Sequence, residues 1–280
     1  ASWRGGGVLN ENRARLLMEG STLTANRVSS GHGGALYNAG QLTVWNTTIT
    51  GNVAHRKDEE DDGGLGGGLC NVGTAILESS TVADNQATVA AGGIENRHTL
   101  VLRNTILAGN SLEGGASSEG RGTLTSHGHN LVQNPGGFTL AGVTTGNLLG
   151  VDPLLAPLAD NGGPPPTHAL QAGSPAIDRG SSQGLRLDQR GSVRPLDDDA
   201  RPNADDACDI GAFEFVPEAS ASVLATSHNE SGLGDGYASE SPYPKLYPQP
   251  PRPGQPFQLA LTTRHAGNTY LFQASTDLVD

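Results

Sequence analysis

Apolar and polar positions recur together in four segments of the first 110 residues. Each segment opens with a glycine-rich run, such as Gly33 to Asn38, and continues to a second asparagine. Inside each segment apolar residues alternate with period two, which predicts short β-strands. Aligning the segments gives three apolar columns: Val8, Leu36, Leu69 and Ile94; Met18, Val44, Leu77 and Leu102; and Leu23, Ile49, Val82 and Leu107.

Two further columns contain only asparagine. They are Asn10, Asn38, Asn71 and Asn96, and then Asn26, Asn52, Asn85 and Asn110. Stacked repeats place like residues over like at the ~4.8 Å strand spacing, so the apolar columns would form one continuous core. Asparagine tolerates left-handed backbone in turns, and stacked amides can hydrogen-bond between repeats. We therefore predict a structural ladder of asparagines.

The fold class that this pattern predicts is all-β, a right-handed single-stranded parallel β-helix over residues 1–150. The first asparagine column steps by 28, 33 and 25 residues, which places insertions in outer loops. A β-propeller is the main competitor, but its blades need ~40–50 residues each. The absence of helical periodicity argues against a helical or leucine-rich solenoid.

Composition and charge exclude several functions. The chain has 40 glycines without a collagen period, and only 16% of its residues are charged. Its net charge of −12 makes nucleic acid and anionic lipid poor partners. No apolar run reaches the ~18 residues of a membrane span, so we expect none in this chain. The two cysteines, Cys70 and Cys208, lie in different segments, and we expect them not to pair.

An ordered set of motifs follows the repeats. The motifs are Asp152 to Leu155, Asp160 to Gly163, Gly173 to Asp178, Asp188 to Gly191, and Cys208 to Glu214. Their order resembles the C-terminal part of bacterial choice-of-anchor Q β-helix proteins. The repeats themselves resemble those of polymorphic outer membrane proteins and other adhesin-like surface proteins. The resemblance covers residues 1–216.

This resemblance implies a non-enzymatic role, structural or adhesive, within a larger surface assembly. It implies a secreted or bacterial cell-surface location, with a periplasmic one as the alternative. Other surface or envelope proteins are the implied partners, and polysaccharide is a further candidate. The family brings no catalytic residues to carry over.

The chain divides into four parts by composition and pattern. A segment rich in proline, serine and glycine follows the motifs, and it is typical of a linker. Two alternating stretches then resemble the opening hairpin of a β-sandwich module. The predicted parts are β-helix repeats at 1–150, a capping segment at 151–216, a linker at 217–256 and the start of a truncated β-sandwich-like module at 257–280.

Charged residues of the motifs predict a network in the capping segment. A solenoid needs a terminal cap to hide its last repeat. We expect Asp188, Arg190 and Arg194 to form a buried or half-buried salt bridge that closes the end of the solenoid. Asp178 and Asp209 are expected to join that network.

Acidic clusters raise the question of a metal. Calcium takes 6–8 oxygen ligands, mostly from carboxylates and carbonyls. The candidate calcium site consists of Asp197, Asp198, Asp199, Asp205 and Asp206. The competing interpretation, which we favour, is a solvated acidic loop. We make that interpretation for the run from 58 to 62 as well, and we expect no other cofactor.

Enzymatic function is the alternative of a different class, because parallel β-helices also include polysaccharide lyases and hydrolases. Glycoside hydrolysis needs two carboxylates on one face, ~5–10 Å apart. Glu19 and Glu78 share a column, but Trp45 separates them. His127 and His129 fit a turn better than a metal or acid–base pair. We therefore expect no enzyme, and we keep a polysaccharide-active enzyme or a carbohydrate-binding module as the alternative.

Overall fold

Strands of three, five, three and two residues recur along the chain, and each pairs in parallel with its counterpart in the next repeat. The structure is a computed structural model that describes residues 4–58 and 62–217. The predicted module at 257–280, and all of the predicted linker except Pro217, lie outside the described residues. We call one turn of the coil a rung and each stack of strands a wall.

Four walls enclose the interior, and β17 (Gly120–His127) belongs to the first two. The first wall also contains β1 (Val8–Asn10), β5 (Leu36–Asn38), β9 (Leu69–Asn71) and β13 (Ile94–Asn96). The second wall contains β2 (Arg15–Glu19), β6 (Gln41–Trp45), β10 (Thr74–Glu78), β14 (Thr99–Arg103) and β19 (Phe138–Val143).

The other two walls are built from shorter strands. The third contains β3 (Thr22–Thr24), β7 (Thr48–Thr50), β11 (Thr81–Ala83), β15 (Ile106–Ala108), β18 (Leu131–Val132) and β20 (Leu148–Leu149). The fourth contains β4 (Arg27–Val28), β8 (Val53–Ala54), β12 (Gln86–Ala87) and β16 (Ser111–Leu112). One 3₁₀ turn, Pro135–Gly137, precedes β19.

The apolar columns of the sequence lie inside the coil. Leu36 pairs with Leu69, and Leu69 pairs with Ile94, so one column continues through the first wall. All three side chains are fully buried. Columns from the second and third walls join them in one continuous core. The predicted fold class, an all-β parallel β-helix, is confirmed.

Left-handed backbone occurs in three columns, and none of them contains the ladder asparagines. One column, at the start of each repeat, holds Gly5, Gly33, Gly66 and Ala91. The other two lie in turns between the later strands. The first of these turn columns holds Gly20, Asn46, Ser79 and Asn104, and the second holds Ala25, Gly51, Asp84 and Gly109. None of the eight ladder asparagines has a positive φ. The ladder asparagines therefore do not use the left-handed backbone that asparagine tolerates. In the second turn column, that backbone belongs to the residue just before each ladder asparagine.

Residues 150–217, which we call the flank segment, form no strand or helix in the structure. Isolated antiparallel bridges fold the segment back on itself, such as Leu155 to Leu170 and Leu187 to Val193. Hydrogen bonds tie it to the coil from one rung to the next. The Thr22 hydroxyl donates to Pro166 O in the first rung, at 2.7 Å. In the fifth rung, His129 Nδ1 donates to Arg179 O at 2.9 Å.

The flank segment therefore covers the third wall along its length, which corrects the expectation of a cap at the solenoid's end. All three residues of β7, of β11 and of β15 are buried, so this wall is covered on both faces. On its outer face Ile106 and Leu131 pack against Ile177, Ile210 and Phe213 of the flank segment. Without that cover these apolar side chains would face solvent.

Candidate functional site

The first asparagine column forms a continuous hydrogen-bonded ladder. Asn10 Nδ2 donates to Asn38 Oδ1 at 2.6 Å. The next two steps, to Asn71 and then to Asn96, are both 2.7 Å. Each amide also reaches a main-chain carbonyl of the following rung, as when Asn38 Nδ2 donates to Thr74 O at 3.0 Å. These buried amides are saturated by the fold itself.

The second column forms a parallel ladder with two bonds per step. Asn52 Nδ2 donates to Asn85 Oδ1 at 2.8 Å, and the Asn52 main-chain N–H donates to the same oxygen at 3.0 Å. Asn26 likewise donates to Asn52 Oδ1 from both its main-chain N–H and its side-chain Nδ2. Asn85 donates in the same way to Asn110. A buried amide with all its partners stabilises one register of the rungs over any other.

Glu119 terminates the second ladder, and the sequence did not single it out. Asn110 Nδ2 donates to Glu119 Oε2 at 2.6 Å, where an asparagine of the next rung would otherwise accept. Glu119 is 1% exposed. Burial raises the pKa of its carboxyl to about 7. The available signal was indirect, because no asparagine continues the column beyond Asn110.

The predicted salt-bridge residues meet in a buried network in the flank segment. Arg194 Nε donates to Glu214 Oε2 at 2.8 Å, and both side chains are fully buried. Arg190 pairs with Asp188 at 2.7 Å. Arg190 Nη2 also donates to Glu214 O at 2.6 Å, which joins the two pairs. The sequence placed Glu214 in a motif but not in the network.

Asp178 and Asp209 lie in the same network. The Asp178 main-chain N–H donates to Asp209 Oδ1 at 2.8 Å. Burial, and then the nearby Glu214 carboxylate, raise the pKa of Asp209 well above its usual value. Burial also raises the pKa of Asp178, to about 6. Both shifts follow from burying acidic side chains close to one another in the flank segment.

The candidate calcium residues are not gathered around a common point. Asp198 Oδ2 pairs with Arg201 Nε at 2.9 Å, and Asp206 accepts from the Ser182 main-chain N–H at 3.1 Å. Asp197, Asp199 and Asp205 are exposed. Among residues 4–58 and 62–217, no three histidine, cysteine or acidic side chains are placed to hold a metal ion. Calcium binding stays a prediction.

A row of charged and aromatic side chains crosses the outer face of the second wall. The register aligns Glu19 with Trp45, Trp45 with Glu78, and Glu78 with Arg103. Arg103 Nη1 lies 3.4 Å from Glu78 Oε1. Its Nη2 lies 3.3 Å from His127 Nδ1, which extends the row by one rung. We call these five residues the outer row. Neighbouring strands are ~4.8 Å apart, so the strands that carry Glu19 and Glu78 are ~9.6 Å apart.

The remaining chemical candidates occupy structural positions. His129 has a φ of 54°, and its ring bonds to the flank segment instead of facing His127. Cys70 and Cys208 are both free thiols that are buried in separate parts of the fold. Burial raises the pKa of the Cys70 thiol to about 12. A thiol that stays protonated is a poor nucleophile and a poor metal ligand.

Comparisons with models of protein families, with curated proteins and with solved structures give no match. Within the described ranges, no helix is long and apolar enough to cross a membrane. The functional conclusion therefore depends on the chain's own geometry.

Proposed function

We propose that this chain is a non-enzymatic structural or adhesive β-helix, secreted or displayed on a bacterial cell surface as part of a larger assembly. The observation that carries the proposal is that the recurring polar side chains make their hydrogen bonds inside the fold. Seven of the eight ladder asparagines are buried, and both ladders bond along the solenoid axis. A substrate could not reach these groups without opening the coil.

The buried charges support the same conclusion. Arg194, Glu214, Asp188 and Asp209 bond to one another or to main-chain atoms of the flank segment. These bonds order the flank segment internally, and Arg194 Nη1 also donates to Asn46 Oδ1 of the coil at 3.3 Å. What remains outside is a set of broad, polar walls, and such walls suit contact with other macromolecules better than chemistry on a small substrate.

The test is co-sedimentation of the purified chain with bacterial envelope fragments, in the presence and absence of a calcium chelator. We expect saturable binding that envelope proteins compete for, and no shortened or unsaturated sugars in the supernatant. Chelator sensitivity would support the calcium prediction at Asp197 to Asp206. Release of such sugars from a polysaccharide panel would overturn the proposal and favour a lyase or hydrolase.

The outer row favours a second candidate function, carbohydrate binding. It combines an aromatic ring, Trp45, with carboxylates and a guanidinium at the regular rung spacing. Sugar rings stack on aromatic side chains, and their hydroxyls bond to charged groups. Affinity electrophoresis in polysaccharide gels tests the candidate. Trp45→Ala should abolish any retardation, whereas Thr99→Ala on the same wall should preserve it.

The outer row also contains the candidate carboxylate pair of the enzymatic alternative. The strands that carry Glu19 and Glu78 are ~9.6 Å apart, just above the ~6.5–9.5 Å that separates the two carboxyl groups of inverting glycosidases. An enzyme of that class would lose turnover in Glu78→Gln while keeping its affinity for the polysaccharide. Binding without turnover in the unmodified chain favours the binding module.

A further inference from the structure

A cleft of about 290 Å³ lies where the last rung meets the flank segment. Its lining residues are Leu148, Pro175, Ile177, Arg179, Arg201 and Pro202. Leu148 belongs to β20, and the other five belong to two stretches of the flank segment. Its volume is at the low end of the ~300–1,000 Å³ of small-molecule sites.

The lining has an unusual charge for this protein. Four of the six residues are apolar, two are arginines and none is acidic. The whole chain has 29 acidic residues and 17 lysines and arginines. Because Asp198 pairs with Arg201, the positive charge of the cleft that no acidic side chain offsets is that of Arg179. In a chain of net charge −12, such a charge attracts anions to one place.

Arg201 is held in place by the flank segment. Its Nε donates to Asp198 Oδ2 at 2.9 Å, and its Nη1 donates to Ser174 O at 3.3 Å. Its Nη2 donates to Ala172 O. These bonds order Arg201 as one side of the cleft, but they also use most of its donors.

Arg179 is placed differently. Its main-chain carbonyl accepts a hydrogen bond from His129 Nδ1 at 2.9 Å, which ties its backbone to the fifth rung. Its guanidinium makes no hydrogen bond or ion pair with the described part of the chain. The result is an anchored backbone that carries a cationic side chain with its five donors available.

We propose that this cleft binds a small organic carboxylate with an apolar body, which Arg179 anchors. A guanidinium pairs with a carboxylate through two parallel hydrogen bonds, and this geometry is selective for planar anions. Leu148, Pro175, Ile177 and Pro202 then cover the aromatic or branched-chain part of the ligand. This site is independent of the proposed structural role and of the outer row.

Benzoate is the probe, titrated into the full chain by calorimetry, with benzyl alcohol and inorganic phosphate as comparison ligands. We expect saturable benzoate binding with a dissociation constant on the order of 1 mM. Benzyl alcohol and phosphate should each bind at least about tenfold more weakly, a difference of about 1.4 kcal/mol. Equal binding of benzyl alcohol, or equal binding of phosphate, would overturn the proposal.

Two variants with a matched control localise the site. Arg179→Gln should weaken benzoate binding about tenfold or more, and Arg179→Lys should recover part of it, because it restores the charge but not the planar fork. Arg186→Gln removes an exposed arginine of the same segment outside the cleft and should change nothing. Circular dichroism confirms that each variant is folded. An unchanged affinity in folded Arg179→Gln would refute the assignment.

Discussion

The coil and the flank segment, two regions of one compact unit, are stabilised in opposite ways. In the first four rungs of the coil, each rung repeats the bonds of the rung before it, with asparagine over asparagine and aliphatic side chain over aliphatic side chain. The flank segment repeats nothing. Buried ion pairs such as Arg194 with Glu214 order it, as do side chains that reach back to the coil, such as Gln189 to Thr48.

The difference shows what each kind of interaction specifies. A column of identical amides fixes the register of neighbouring rungs, because a shifted rung would leave buried donors without acceptors. It does not distinguish one rung from another. The ion pairs of the flank segment join residues far apart in the chain, so they specify a unique path along the third wall at the cost of burying charge.

Removing Arg194 should have the largest effect, because it should destabilise the flank segment much more than the coil. Arg194→Met leaves Glu214 buried without its ion-pair partner, and breaking such a pair costs about 3–5 kcal/mol. Denaturant unfolding measures the loss. Hydrogen exchange should show lost protection in the flank segment while the amides of β6, β10 and β14 stay protected.

The matched control is Arg186→Met, which removes an exposed arginine of the same segment and should cost little. In the double variant Arg194→Met with Glu214→Gln, much of the stability should return, since residue 214 is then no longer a buried charge without its partner. Equal loss of protection in coil and flank segment would show that the two regions unfold as one unit.

The sequence predicted the coil well because its information is local and repeated. Columns such as Leu36, Leu69 and Ile94 show the core directly. Among the charged motif residues it grouped Asp188 with Arg190, but it left out Glu214, the partner of Arg194. It did not predict where the flank segment lies, because that depends on contacts across about 140 residues, as between Thr48 and Gln189.

One signal of the covered wall was present in the sequence. Ile106 and Leu107 are adjacent, as are Leu131 and Val132, so period-two alternation fails there. A strand that is apolar on both faces is typical of a sheet covered on both sides. Glu119 and the cleft around Arg179 had no comparable pattern, because each depends on single residues that the fold brings together.

Interrupting the second ladder should have the next largest effect. Asn85→Ala removes the acceptor of two Asn52 donors, the side-chain amide and the main-chain N–H. It also removes the side-chain donor to Asn110 Oδ1, which keeps only the main-chain N–H of residue 85. We expect a loss of about 3 kcal/mol, since each buried donor without a partner costs about 1–3 kcal/mol. Chemical denaturation checks this value. Asn203→Ala, at an exposed asparagine of the flank segment, is the control, and a similar loss there would discredit the ladder.

The stability of the coil should depend on pH through Glu119, because this carboxyl is the titratable group that ends a ladder of neutral amides. Its folded pKa of about 7 exceeds its unfolded value, so its stabilising effect is complete below about pH 4.5 and is lost as the pH rises through 7. Glu119→Gln should therefore exceed the unmodified chain in stability by about 2 kcal/mol at pH 8 and lose that advantage at pH 4.5. Parallel stability curves for the two proteins would contradict the assignment.

The smallest effect should be a gain, at a turn of the coil where backbone conformation outweighs side-chain contacts. Ala25 has a φ of 56°, and in the same column the second and fourth rungs have glycine, Gly51 and Gly109. Left-handed backbone costs a residue with a Cβ about 1–2 kcal/mol, so Ala25→Gly should raise the melting temperature, with a net gain of about 0.5–1 kcal/mol. In the flank segment, Ala200→Gly at an exposed alanine without positive φ should instead lower it slightly. If both variants lowered the melting temperature equally, the left-handed backbone at Ala25 would not limit the stability of the coil. The register of the rungs would then depend on the asparagine ladders alone.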